Sequence, residues 1–289
     1  MSQTKRTRRI PAPTASVRAG RIDSGEPLLL LHPFTTSHDV WAEVIPGLEG
    51  EFDVVAATLP GHWGGPAIRF GDVSLAAYAD AIERLMDDLG WETAHIAGNS
   101  IGGWLSFELA RRGRARSITA IAPAGGWTKW SREEIVVGLK FLGLYPLTAL
   151  GHVLGDRLLG LPPVRSTALK LVSHRPGRVS RDRAANFLRA STNCPSMFPF
   201  IVSELRNSTV VDVVGIDEEV PVRLVLCEQD LIIPAEHYGE PYVRALPHAD
   251  VVRMPDVGHI PMFEKPDVVA DLIAEHALRH TAMRVADAG

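Results

Sequence analysis

A serine hydroxyl becomes a nucleophile only when a base takes its proton, and Gly98-Asn99-Ser100-Ile101-Gly102 presents a serine in a setting suited to that chemistry. The apolar residues before it read as a strand and Trp104 to Arg112 as a helix, so Ser100 falls on a sharp strand-to-helix turn with small neighbours. A base and a carboxylate are needed beside it, and both occur where later strands are expected to end. Asp230 follows the apolar run Val222 to Cys227 in C-E-Q-D-L-I-I-P, and His259 follows Asp250 to Met254 in V-G-H-I-P-M-F-E. Glu228, two residues before Asp230, is the competing acid. The order of the three groups is Ser100, Asp230, His259.

The elements that must position these groups follow an α/β rhythm. Leu28 to Leu31, Val54 to Ala57, Thr93 to Ala97 and Ile118 to Ala122 are short apolar runs of the kind that form buried parallel strands. Between them, Leu75, Tyr78, Ile82, Leu85 and Leu89 are spaced for one face of a helix that starts near Ser74 and stops at Gly90. Alternation of this kind predicts an α/β fold: a mostly parallel, twisted sheet flanked by helices.

The rhythm stops after Trp127. Residues 128–207 show no strand pattern but carry helical stretches, Arg132 to Leu142, Leu147 to Leu159, Val164 to Ser173 and Arg181 to Thr192, punctuated by Pro146, Pro162, Pro163, Pro176 and Pro195. They read as a helical cap inserted into a core formed by 16–127 and 208–289. A final helix is expected from Pro266 to Leu278, and residues 1–15, with Lys5, Arg6, Arg8 and Arg9, as a disordered basic tail.

With 289 residues, 46% hydrophobic and 22% charged, and a formal charge of -4, the chain has the composition of an ordinary globular protein with no global attraction to nucleic acid or to an anionic membrane. The longest apolar runs are too short to span a bilayer, and the basic start lacks the apolar stretch of a secretory signal, which implies a cytoplasmic protein. Cys194 and Cys227 show no metal-ligand spacing, and no lysine follows Gly98 to Gly103 as a phosphate loop requires, so neither a metal nor a cofactor is expected. Among the 11 histidines, His32 is expected to brace the loop after the first core strand and His62 to sit in a structural turn. The expected partner is a small-molecule substrate, with the chain a monomer or homodimer.

From about residue 26 to residue 278 the sequence resembles the α/β-hydrolase fold superfamily with a helical cap. Three motifs carry the resemblance in order: the serine turn, Asp230 with Pro234 as D-x-x-x-P, and Gly258-His259 with Glu264 as G-H-x-x-x-x-E. It implies Ser100 as nucleophile, His259 as general base and Asp230 as the acid that orients it. Some members place the acid after the strand that here ends at Ala122, but Pro123 to Trp127 contain no carboxylate. The resemblance also implies an oxyanion hole made by the backbone N–H of Ile101 and by one from the loop after an earlier strand. That loop usually begins His-Gly; here it reads His32-Pro33-Phe34, and matching by position assigns the second N–H to Phe34. Pro33 restricts the backbone there. Phe34, Trp127 and Ile260 are expected to line the substrate pocket, and apolar cap helices over it favour a small to medium apolar substrate.

The leading expectation is therefore an esterase-like serine hydrolase acting on carboxylic esters, lactones included, without a cofactor. Asn99 beside Ser100 also resembles the turn of carbon–carbon bond hydrolases that cleave ring-fission products, although Ile260 stands where those enzymes usually carry Trp. A cofactor-free perhydrolase or haloperoxidase would use the same three groups. A ligand receptor on the same fold is the non-enzymatic alternative.

Overall fold

The computed structural model describes residues 15–127, 130–154, 161–207 and 220–287. Nearly all of the basic tail expected at 1–15, and the end of the helix expected to reach Leu159, lie outside the described residues. In chain order the main elements are β1 (Ser16–Gly20), β2 (Glu26–Leu31), β3 (Phe52–Ala57), α1 (Leu75–Asp88), β4 (Ala94–Asn99), α2 (Ile101–Arg111) and β5 (Ala115–Ile121). Then come α3 (Arg132–Leu154), α4 (Pro162–Leu169), α5 (Arg181–Thr192) and α6 (Met197–Asn207), before the sheet resumes with β6 (Val222–Cys227). The short helices α7 (Ala235–Tyr238) and α8 (Glu240–Ala245), β7 (Asp250–Met254) and α9 (Pro266–Asp287) complete the chain's described part.

The seven strands lie in the order β1-β3-β2-β4-β5-β6-β7, parallel except for β1. Leu28 to Leu31 are at most 1% exposed, because both faces of a parallel sheet are covered by helices and every side chain of the strand is buried. From β2 the chain moves outward to β3, then returns past β2 to β4 on the other side. The order therefore reverses between β2 and β4, and a doubly wound sheet leaves a crevice beyond the carboxyl ends of the strands at that point. Leu31 pairs with Gly98 there, which sets the loop starting at His32 beside Ser100.

Local signals account for most boundaries. Ser74 Oγ accepts from Ala77 N at 3.1 Å at the start of α1, and Gly90 at φ +73° follows its end, while Tyr78, Ile82 and Met86 fill its inner face. Five elements depart from the sequence reading. Pro146 does not divide two helices but lies inside the continuous α3. The edge strand β1 is absent from the expected set because S-V-R-A-G is short and only half-buried; it is held by Arg18, whose Nε donates to the buried Asp53 at 2.9 Å. Helix α6 carries Pro199 and follows Pro195, which hides its periodicity. Helix α9 also runs past the expected Leu278 to Asp287, and α4 stops at Leu169, short of Ser173.

Several histidines are buried as neutral rings. Burial lowers His62 to about 4, and burial with His280 and Arg223 nearby lowers His276 to about 4. The unfolded chain binds protons on these rings below about pH 6.5, where the folded chain does not, so their contribution to stability is complete above that pH and is lost on acidification toward pH 4. Urea unfolding at graded pH is expected to show this fall in stability, and His276→Gln, which cannot titrate, to reduce its slope.

Candidate active site

Ser100 lies between β4 and α2 at φ +56° and ψ -114°, a conformation that non-glycine residues rarely adopt. Its N–H donates to Ile121 O at 2.9 Å, and its carbonyl accepts from Trp104 N and Ala124 N at 3.0 Å each. The turn is possible because α2 comes very close to the sheet. A Cβ on Gly98 would sit 2.1 Å from Gly102 O, and one on Gly102 would sit 2.3 Å from Leu31 O. Thr35 at φ +59° and Ala122 at φ +40° are also left-handed, so the loops after three neighbouring central strands, β2, β4 and β5, all carry a strained non-glycine residue.

The structure brings Asp230 and His259 together. Asp230 Oδ2 accepts from His259 Nδ1 at 2.6 Å, and Asp230 Oδ1 accepts from Ile232 N at 2.8 Å and Ile233 N at 2.9 Å, with both residues 3% exposed. The carboxylate therefore fixes the ring with its proton on Nδ1 and leaves Nε2 as an acceptor. Glu228 is exposed at the surface and has no such contact. Ser100 Oγ has no hydrogen bond among the described residues; in sites of this kind the contact to the base commonly closes only when substrate is bound.

The His259 loop is held on three sides. Asn99, next to the serine, donates through Nδ2 to His259 O at 3.1 Å and to Ile121 O at 3.0 Å. Glu264, the acid of G-H-x-x-x-x-E, accepts Gly258 N at 2.7 Å and Arg175 N at 2.6 Å. Ile260 N donates to Val172 O, just after α4, at 2.9 Å. These contacts explain the motif: its glutamate organises the backbone on both sides of the loop.

The loop after β2 aims a backbone N–H in the same way. His32 Nε2 accepts from Leu59 N at 2.9 Å, which places the ring proton on Nδ1, and Nδ1 donates to Pro33 O at 2.8 Å. Thr36 Oγ1 donates to the same carbonyl at 2.7 Å. Burial, with His62 adjacent, holds His32 neutral and far below the ordinary histidine range. Fixing Pro33 O fixes the plane of the next peptide, and the Phe34 N–H points opposite that carbonyl. Neither Phe34 N nor Ile101 N has an acceptor among the described residues. Sequence reading missed Thr36 because its hydroxyl acts on backbone within its own turn and leaves no motif.

A cavity opens beside Ser100, walled by Phe34, Ile101, Trp104, Trp127, Phe141 and Phe200 among others. A second, smaller recess includes His259 and Ile260, and Phe34, Phe141 and Ile232 border both. Phe34, Trp127 and Ile260, the expected lining residues, thus all face these spaces. The helices between β5 and β6 reach each loop of the site: Phe141 of α3 and Phe200 of α6 pack on Phe34 at 5.1 Å between ring centres, and Lys140 Nζ donates to Leu231 O and Ile232 O at 2.8 and 2.7 Å. Among the described residues no helix is long and apolar enough to cross a membrane.

Residues 26–266 match the family model described as the alpha/beta hydrolase fold. Over 206 residues the chain is 43% identical to the "Epoxide hydrolase EphH" of Mycobacterium tuberculosis, covering 70% of this chain and 94% of that protein. It is 26% identical to "Lipase 3" of a Moraxella species over 83% of this chain and 74% of the lipase. A thermophilic esterase from Thermogutta terrifontis superposes with a TM-score of 0.70 at 21% identity, over 92% of this chain and 93% of the esterase, a likeness of fold.

The close packing at the turn has a measurable consequence. Gly102→Ala forces α2 away from Leu31 and is expected to lower stability by about 1–3 kcal/mol, read as a reduced midpoint of thermal unfolding. Gly143→Ala, on a glycine inside α3 with open space around it, is the contrast and is expected to hold or raise the midpoint, because alanine is favoured over glycine in a helix interior by about 0.5–1 kcal/mol.

Proposed function

The chain belongs to the α/β-hydrolase fold family and is an enzyme of it, and from that membership we propose a serine hydrolase that cleaves carboxylic esters, lactones included, through an acyl-enzyme on Ser100. The observation that carries this reading is the buried Asp230–His259 pair at 2.6 Å, on a loop tied by Asn99 to the turn that holds Ser100. In this reading His259 Nε2 takes the Ser100 proton as Oγ attacks the carbonyl carbon. Phe34 N–H and Ile101 N–H receive the negative charge that develops on the carbonyl oxygen. The imidazolium, supported by Asp230, then gives its proton to the departing alcohol. A water activated by the same ring attacks the acyl-enzyme and releases the acid and Ser100.

The relative named an epoxide hydrolase raises a second reading, and chemistry weighs against it for this chain. A serine oxygen that opens an epoxide ring forms an ether, and the subsequent attack by water that frees an acyl-enzyme has no carbonyl to act on. A carboxylate nucleophile would give a cleavable ester instead, but the turn here carries Ser100.

A fluorophosphonate probe is expected to label the wild-type protein and not Ser100→Ala. A panel of p-nitrophenyl esters, lactones, a dienoate ring-fission product and styrene oxide then ranks the chemistries. Ester or lactone turnover that disappears in Ser100→Ala supports the proposal, and absence of both labelling and ester turnover overturns it. Repeated turnover of styrene oxide favours the epoxide reading, and turnover of the dienoate alone favours carbon–carbon cleavage. Asp230→Asn is expected to lower kcat by several orders of magnitude with KM little changed, because the ring loses its orienting partner.

A further inference from the structure

The cavity beside Ser100 contains two carboxylates that ester cleavage does not use. Glu134, in the first turn of α3, and Glu204, in α6, both line it among otherwise apolar walls. Glu134 is 5% exposed. Part of its role is local: Glu134 N donates to Ser131 Oγ at 3.2 Å, and Glu134 Oε2 accepts from Trp130 N at 2.5 Å, an arrangement that satisfies the start of α3. Helix capping accounts for one oxygen only. Glu134 Oε1 is buried and has no partner among the described residues.

Glu204 faces the same space. Burial, and next the charge of Glu134, push its carboxyl up to about 7. A buried acceptor without a donor is costly, and more so when a second acid sits within its field. A ligand that brings an N–H or O–H to this point relieves that cost, whereas a purely hydrocarbon ligand leaves it in place.

We propose that Glu134 and Glu204 form a recognition point for substrates that carry a hydrogen-bond donor, an aliphatic ammonium or a hydroxyl, on the part of the molecule remote from the scissile carbonyl. The placement of that carbonyl rests on the serine-hydrolase reading, but the acid pair binds its donor with or without turnover. An ammonium also compensates charge in surroundings of low dielectric, so it gains more than a hydroxyl does.

The test separates binding from chemistry. The full chain carrying Ser100→Ala is titrated calorimetrically with hexylamine, hexanol and pentyl methyl ether, three probes of equal length of which the ether has no donor. The amine, the alcohol or both are expected to bind about tenfold or more tightly than the ether. Adding Glu134→Gln or Glu204→Gln is expected to cut the amine's advantage to roughly threefold or less, with thermal unfolding confirming that each variant is folded. Equal binding of the three probes, or a preference unchanged in both variants, overturns the proposal. An amine preferred over the alcohol supports it through charge pairing, and an alcohol bound equally well supports it through a neutral donor. In the parent protein, p-nitrophenyl esters ending in amine, hydroxyl or methyl groups are expected to follow the same order in kcat/KM. Donor binding without ester turnover retains the acid pair and removes the serine reading; turnover with no preference among chain ends does the opposite.

Discussion

The site depends on how closely a helix can approach a sheet. Gly98 and Gly102 place α2 against β4 and β2 at a separation that no side chain would allow, with Leu31 O lying where a Cβ on Gly102 would stand. At that separation the chain can leave β4 and enter α2 only through a residue with positive φ, and Ser100 is that residue. The hydroxyl is thereby presented at the head of the helix, and the first helical N–H, that of Ile101, has no partner among the described residues. The proposed nucleophile and one proposed oxyanion donor are therefore two results of one packing constraint.

The rest of the site is organised by saturating backbone groups rather than by flexible side-chain contacts. Asp230 accepts three donors, Pro33 O is fixed by His32 and Thr36, and His259 O is held by Asn99. Together these contacts set the direction of two neighbouring groups that have no partner among the described residues: Nε2 of His259 and the N–H of Phe34. Neutral His32 can play this part because burial keeps it from taking a second proton, and a doubly protonated ring could not accept from Leu59 N.

Much of this was readable in the sequence because it has periodic or short-range causes. The core strands announce themselves as apolar runs buried on both faces, and α1 as a spaced stripe bounded by Ser74 and Gly90. Ser100, Asp230 and His259 stand one, three and five residues beyond strand ends, in the region where a doubly wound sheet gathers chemistry. What could not be read depends on contacts distant in sequence. Pro146 is accommodated inside α3, β1 forms because Arg18 finds the buried Asp53, and it is Asp230, not Glu228, that meets His259. The unpartnered oxygen of Glu134 was equally hidden, since the local pattern explains only the other oxygen.

The helices between β5 and β6 do more than roof the cavity. They press on Phe34, grip the carbonyls after Asp230 through Lys140, and receive the N–H that follows His259. Mechanically the described part of the segment is a truss joining loops that belong to separate strands. Grafting a different segment here to reshape the pocket therefore also disturbs the loops that carry Phe34, Asp230 and His259, because the same beams brace both.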